Sequence, residues 1–285
     1  MTIPDSIALT LKLATARLAQ LPGINARLEA EILLAHALDK PRTHLFTWPE
    51  KPVENSLRDR FEELLDRRLG GEPSAYLTGQ REFWSLQLKV TSETLIPRPE
   101  TELLVERALP LLPAERAAVI ADLGTGSGAI SAAIASECPA CKIYATDISA
   151  AALAVAHENF DKLGLANVNC LRGHWCAALP MGMKFDLIVS NPPYLASDDP
   201  HLSEDGLPWE PVFALVSGAE GLNDIHAIIS TAGAHLVAGG WLLLEHGCDQ
   251  GAQVRRTFSE AGYQQCGTFR DLGGRERVTQ GRMPT

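Results

Sequence analysis

Nothing in this 285-residue chain resembles the roughly 18 consecutive apolar residues of a membrane-spanning helix. The opening Met1-Thr2-Ile3-Pro4-Asp5 also lacks the basic-then-apolar pattern of a secretion signal. A cytoplasmic protein with no membrane contact is expected. Positive charge is scarce: 25 Lys and Arg stand against 35 Asp and Glu, for a net charge of −10. Residues 1–75 are nearly balanced, with ten basic and eleven acidic side chains, so almost all of the deficit falls on the remainder. A protein gripping a phosphate backbone through that remainder would show a basic stripe, and none is visible. No direct nucleic-acid partner is expected. The six cysteines are scattered except for Cys138-Pro139-Ala140-Cys141, which has the spacing of a redox pair or half a zinc site. No second Cys pair or His-x₃₋₅-His completes a metal centre, so that stretch reads as an ordinary helix-to-strand connection and no metal is expected. Repeats and low-complexity tracts are absent too.

What is present divides into three parts. Residues 1–75 read as a small helical bundle. Ile7, Leu11, Ala14, Leu18 and Leu21 recur at helical spacing; Asn25 can cap a helix whose apolar face is Leu28, Ile32, Ala35 and Leu38; a further helix carries Leu57, Phe61, Leu64 and Leu65 and stops at Gly70-Gly71. Residues 76–97 contain a change of period, with Phe83, Leu86, Leu88 and Val90 among polar residues, which predicts a linking β-hairpin. In Pro97-Arg98-Pro99-Glu100-Thr101-Glu102, Pro99 suits a first helical turn with two acids near its positive end.

Residues 98–285 then alternate strand and helix. Strands are expected over 118–122, 142–146, 168–172, 185–190 and 241–245, with two short ones near Thr268 and Val278. Helices are expected over 129–136, 150–163, 225–236 and 250–262. Repeated βα units predict an α/β fold: a mostly parallel, Rossmann-like sheet wrapped by helices.

Ligands of such sheets lie beyond the carboxyl ends of the strands. Two loops occupy that position here. Asp122-Leu123-Gly124-Thr125-Gly126-Ser127-Gly128 follows the first strand, and its glycines let a ligand approach the backbone. Its G-x-G-x-G spacing departs from the G-x-G-x-x-G of dinucleotide sites, which argues against NAD. An acid at the head of the loop suits a cationic amino-acid moiety, and Asp147 at the next strand tip can accept two ribose hydroxyls. Trp175, after the third strand, can flank an adenine or simply fill the rim. Together these features indicate S-adenosylmethionine.

The second loop, Ser190-Asn191-Pro192-Pro193-Tyr194, follows the fourth strand. Neither proline has an N–H, whereas every carbonyl stays available, so the loop presents acceptors beside an aromatic ring. The Asn191 carboxamide oxygen and the Pro192 carbonyl can each take one N–H of a planar NH₂, with Tyr194 against its plane. An isolated Asn-Pro-Pro is also a common turn; the order of glycine loop, strand-end Asp and Asn-Pro-Pro-Tyr gives it meaning.

These two loops resemble those of class I methyltransferases acting on amide or exocyclic amino nitrogens. With Pro97 to Glu102, Glu210-Pro211, Ala214-Leu215, Gly218 to Leu222, Leu244-Glu245-His246-Gly247 and Asp271-Leu272-Gly273-Gly274-Arg275-Glu276-Arg277-Val278, nearly the whole chain resembles the release factor glutamine methyltransferases, the PrmC or HemK family. The resemblance implies a helical domain, 1–75, that docks substrate; a hairpin linker, 76–97; and a catalytic domain, 98–285. It implies cofactor contacts from Gly124, Thr125, Gly126, Ser127, Gly128, Asp147, Trp175 and Asn191, substrate contacts from Asn191, Pro192, Pro193 and Tyr194, and catalytic roles for Asn191, Pro192 and Tyr194. The implied reaction is methylation of the side-chain amide of the Gly-Gly-Gln glutamine in class 1 peptide-chain release factors. His174 departs from the family, which usually has an acid before the Trp. Three rivals are an adenine amino-methyltransferase acting on DNA or RNA once the base is flipped out, a non-catalytic S-adenosylmethionine-binding module, and an NAD oxidoreductase. The acidic catalytic half, the intact Asn-Pro-Pro-Tyr and the glycine spacing argue against them in turn.

Overall fold

The computed structural model describes residues 5–204 and 206–285; residues 1–4, on which the absence of a signal pattern was read, lie outside it. The chain forms two compact units, Met1–Gln80 with Ser203–Trp209, and Arg81–Leu202 with Glu210–Thr285.

The first unit is helical: α1 (Ile7–Leu18), α2 (Ala26–Leu38), α3 (Arg42–Thr47), α4 (Asn55–Leu69) and α5 (Ser74–Thr78). Asn25 caps α2 as expected, its side chain accepting from Leu28 N at 3.1 Å. Gly70 follows the last residue of α4. The buried face of α2 differs from the expected one. Ala30, Leu33, Leu34 and Ala37 are fully buried, whereas Leu28, Ile32 and Leu38 are only half-buried. This helix is apolar around most of its circumference, so spacing alone does not single out the side that meets α1 and α4. Burial of Leu11, Leu18, Leu33, Leu34 and Phe61 contributes about 2 kcal/mol per side chain. The excursion of Ser203–Trp209 into this unit has no signal in the sequence. Trp209 lies against Gly71, where an added Cβ would be 3.5 Å from the indole nitrogen.

The hairpin is β1 (Gln80–Phe83) and β2 (Leu86–Lys89). Its two turn residues, Trp84 and Ser85, have φ of 53° and 59°, a combination that normally calls for Gly or Asn. Trp84 is held by hydrogen bonds at both ends: its backbone N–H donates to Glu102 at 2.8 Å and its indole N–H to Glu137 at 2.7 Å.

The second unit continues with α6 (Glu102–Ala108), entered through a 3₁₀ turn starting at Pro99, then β3 (Val119–Leu123), α7 (Ala129–Glu137), β4 (Lys142–Asp147), α8 (Ala150–Leu163), β5 (Val168–Arg172), β6 (Phe185–Ser190), α9 (Asn223–Ala232), β7 (Leu236–Glu245), α10 (Gly251–Glu260), β8 (Gln264–Arg270) and β9 (Glu276–Arg282). The sheet order is β5-β4-β3-β6-β7-β9-β8. Strands β3 to β7 are parallel and β9 is antiparallel to both neighbours. Strand β6 is buried on both faces, as an uninterrupted apolar run in a parallel sheet should be. Leu187 and Val189 pack with Leu104, Ala132 and Ile134, while Ile188 packs with Ile225, Ile228 and Phe258. A difference from the sequence reading falls at Leu236, expected to end a helix but found to open β7. Cys138 and Cys141 are joined by a disulfide across the connection between α7 and β4. No cluster of metal-ligating side chains exists among the described residues, and no helix there is long and apolar enough to cross a membrane.

Candidate active site

Strands β3, β4 and β6 end on one side of the second unit, and a cavity of about 240 Å³ opens among the loops that follow them. Gly124, Thr125, Gly126 and Ser127 line it, together with Asp147, Trp175, Asn191 and Pro193. The two loops that the sequence singles out are therefore brought together across the neighbouring strands β3 and β6.

The glycine loop is built from within. Asp122 is fully buried, and its Oδ2 accepts the Thr125 hydroxyl at 2.6 Å and the Ser131 hydroxyl at 2.7 Å. Burial raises its pKa to about 6 despite these two donors. It does not line the cavity, so its place is beneath the loop rather than beside a ligand's amino group. Asp147 does line it. The Asp147 carboxylate accepts the backbone N–H groups of Gly126 and Ser149, both at 2.9 Å, while burial shifts its pKa upward. Gly124 has φ of 72°, and a Cβ there would stand 2.8 Å from the Trp175 ring, so the indole lies directly on this backbone. Gly128 does not line the cavity. It is the N-cap of α7, and its missing side chain leaves room for Phe160, which a Cβ would approach to 2.6 Å.

Trp175 is oriented from a distance. Its indole N–H donates to Asp224 at 3.1 Å, and Asp224 in turn accepts the Ser217 hydroxyl at 2.6 Å. His174 also lines the cavity, edge-on to the Trp175 ring at 5.5 Å. Three carboxylates, Glu93, Asp147 and Asp224, lie in the lining, and no Lys or Arg does. That donor set fits a ligand bearing positive charge and hydroxyls, as S-adenosylmethionine does. It lacks the basic side chains that commonly pair with a pyrophosphate.

The second loop is built from outside. Asn191 Nδ2 donates to the Thr101 hydroxyl at 3.2 Å. Gln250 Nε2 donates to the Tyr194 carbonyl at 3.0 Å. The Tyr194 hydroxyl donates to Glu245 Oε1 at 3.3 Å, and burial raises the pKa of Glu245 to about 7 and pushes that of Tyr194 far up. Asn191 and Pro193 reach the cavity, but Pro192 is buried and Tyr194 is outside the lining with its hydroxyl turned to Glu245. Glu210, itself buried, ties the stretch before α6 in place through Ile96 N at 3.0 Å and the Arg98 guanidinium. Thr101, Glu93 and Asp224 are site residues that the sequence reading does not single out. Only their positions, within or beside the quoted motifs, carry a signal.

Comparison with known proteins gives the family. Residues 10–79 match the model of the PrmC N-terminal domain, and residues 99–203 that of the methyltransferase small domain. The chain is 51% identical to the release factor glutamine methyltransferase of Pseudomonas aeruginosa over 264 residues, covering 92% of this chain and 95% of that one. It is 47% identical to the protein of the same name from Vibrio cholerae, with 98% of each covered. Among solved structures, a methyltransferase from Pyrococcus furiosus superposes with a TM-score of 0.54 at 17% identity, covering 79% of this chain and all of that one. The hMettl16 catalytic domain, solved with an RNA hairpin, gives 0.56 at 18% identity, covering 71% and 76%. Likeness at that level concerns the fold alone.

Proposed function

The chain belongs to the release factor glutamine methyltransferase family, and from that premise we propose that it methylates the side-chain amide nitrogen of the Gly-Gly-Gln glutamine in class 1 peptide-chain release factors, with S-adenosylmethionine as donor, in the cytoplasm. One contact supports a substrate that presents an NH₂. Because Asn191 Nδ2 is committed to Thr101, the carboxamide oxygen is left to face the cavity as an acceptor. An incoming NH₂ can donate to it; a group without a donor hydrogen cannot.

S-adenosylmethionine supplies a methyl group on a positively charged sulfur. Gly124, Gly126, Asp147 and Trp175 would hold it, with the carboxylates of the lining offsetting its charge. The remaining work falls to the loop after β6. An amide nitrogen is a weak nucleophile, since its lone pair is delocalised, and no side chain in the lining is basic enough to deprotonate it first. Asn191 therefore acts by position, fixing the nitrogen in line for attack, which can supply several kcal/mol up to a ceiling of about 7–11. As positive charge grows on that nitrogen, its hydrogen bonds to Asn191 and to the loop carbonyls strengthen, which favours the transition state over the ground state. We assign docking of the release factor to the helical domain, residues 1–75, with the hairpin, 76–97, as linker to the catalytic domain, 98–285.

Incubating the full chain with methyl-labelled S-adenosylmethionine and purified release factors, beside DNA and tRNA, followed by peptide mass mapping, tests the assignment. Label on the Gly-Gly-Gln glutamine is expected. Label confined to nucleic acid would replace this reading by adenine methylation.

A further inference from the structure

Asn191 carries a group whose two ends are nearly the same shape and opposite in hydrogen-bonding sense. With the oxygen facing the cavity, it accepts from the substrate NH₂; turned over, it would oppose one NH₂ with another. The loop itself offers nothing to choose between the two. The prolines have no N–H, and among the described residues the one polar partner of the carboxamide is the Thr101 hydroxyl. A hydroxyl both donates and accepts, so Thr101 alone does not decide either.

The deciding group lies one step deeper. Glu245, at the carboxyl end of β7, is 1% exposed. Four groups face it from the elements packed around it: the Tyr194 hydroxyl from the loop after β6, the Thr101 hydroxyl and Glu100 from the turn before α6, and Arg277 from β9. Burial works most strongly against its ionised form and Glu100 adds to that, while Thr101, Arg277 and Tyr194 favour it, in that order. The carboxyl accepts Tyr194 on Oε1, and its Oε2 is buried without a hydrogen-bond partner. The Thr101 hydroxyl accepts from Asn191 and has one proton left to give; it stands near enough to favour the ionised carboxyl, but not at ordinary hydrogen-bond distance from Oε2.

The geometry points to Thr101 and Glu245 as positioning residues: Glu245, as a carboxylate, draws the Thr101 proton toward itself, and Thr101 is thereby left able only to accept from Asn191 Nδ2, so that the Asn191 oxygen faces the substrate. The inference rests on the amide-methylation reading only for the identity of the acceptor, since an adenine NH₂ would need the same orientation. Its sense in pH follows. A carboxylate can only accept; a protonated Glu245 can donate to Thr101, which frees the Thr101 proton for Asn191 Oδ1 and stabilises the turned-over carboxamide. The active orientation therefore belongs to the ionised form, and turnover rises with pH through the Glu245 titration.

Glu245→Gln, Thr101→Val and Thr101→Ser variants of the full chain, assayed with labelled S-adenosylmethionine and release factor, test this. Thr101→Val should lose about 10- to 100-fold in kcat with S-adenosylmethionine affinity by calorimetry within about twofold of the parent, and Thr101→Ser should recover most of that loss. Glu245→Gln should abolish the rise of kcat with pH. A readout free of turnover accompanies these: the infrared band of the protonated Glu245 carboxyl, identified by its loss in Glu245→Gln, should persist to higher pH in Thr101→Val, because a donor to the carboxylate has been removed. An unshifted band, or a parental pH profile in Glu245→Gln, would overturn the proposal. Should the parent label nucleic acid rather than release factor, the function assigned above falls. The band shift and the kcat ratios on that substrate still decide the roles of Thr101 and Glu245.

Discussion

The two loops that meet at the cavity are held in opposite ways. The glycine loop after β3 is supported from close by: Asp122, Thr125 and Ser131 bond one another within ten residues of chain, and the next strand and helix add Asp147 to Gly126 N and Asn159 to the Ser127 carbonyl. The loop after β6 is supported by residues scattered along the chain, Thr101, Glu245 and Gln250. A binding loop held by its own side chains and by the adjoining βα unit can keep its shape while more distant parts of the fold vary. A loop braced from three elements takes its shape from the whole domain, and small changes far from the chemistry reach it.

The sharpest way to break this contrast is Asn191→Ala. We expect turnover to fall about 10³-fold, the scale of losing a preorganised hydrogen-bond acceptor at the reacting centre, while S-adenosylmethionine affinity by calorimetry stays close to that of the parent. A parallel loss of affinity would mean that the two loops do not divide the work. Next is the buried acid beneath the glycine loop. The Asp122 pKa is raised to about 6, so the folded protein holds a proton there that the unfolded chain releases near its ordinary value. The sign is fixed: the stability from this site is full below about pH 4 and is lost as pH rises toward 6, on the order of 3 kcal/mol in all. Asp122→Asn should remove that slope, so the difference between variant and parent in denaturant titrations should shift in the variant's favour between pH 4 and pH 7 and then level off. A constant difference would show the carboxyl to be unperturbed.

How much could be read beforehand follows the same division. The limits of β5, β6 and α8 match the sequence reading residue for residue, because each is specified by its own pattern and bounded by its own cap or turn. Ser149, for instance, caps α8 by accepting from Ala152 N at 3.2 Å. Strand β7 was legible only from Trp241 onward. Its first half carries Gly239-Gly240, and the pairing with β6 slips between Phe185 and Leu187, so residues 236–240 show no strand alternation and continue the spacing of α9 instead. In the site, Gly124, Asp147 and Asn191 could be named from their places at strand ends. Thr101 and Asp224 could not be given a role, since each acts through a partner, Asn191 or Trp175, that is remote in sequence. Tyr194 was given a face toward the substrate, but its hydroxyl is turned inward by Glu245, 51 residues away.

Asp147→Ala probes the glycine-loop side at lower cost. The carboxylate holds Gly126 N and Ser149 N and faces the cavity, so its loss should weaken S-adenosylmethionine about 10- to 100-fold by calorimetry, with kcat at saturating cofactor reduced far less. Unchanged affinity would remove Asp147 from the cofactor site.

The smallest expected effect falls where the two kinds of support overlap. Trp175 covers Gly124 of the glycine loop, but it is anchored from farther away through Asp224, which is itself fixed by Ser217. Trp175→Phe keeps an aromatic face over the glycine but deletes the indole N–H and one of its two rings. Asp224 keeps its bond to Ser217, so no carboxylate is left wholly unpartnered, and the loss should be at least that of one hydrogen bond, about 1 kcal/mol. That is about a fivefold weaker S-adenosylmethionine affinity with kcat at saturation unchanged. Affinity equal to the parent's would mean that the glycine loop needs no outside brace. A fall in kcat with affinity intact would instead place Trp175 with Thr101 and Glu245, among the residues that set the loop after β6.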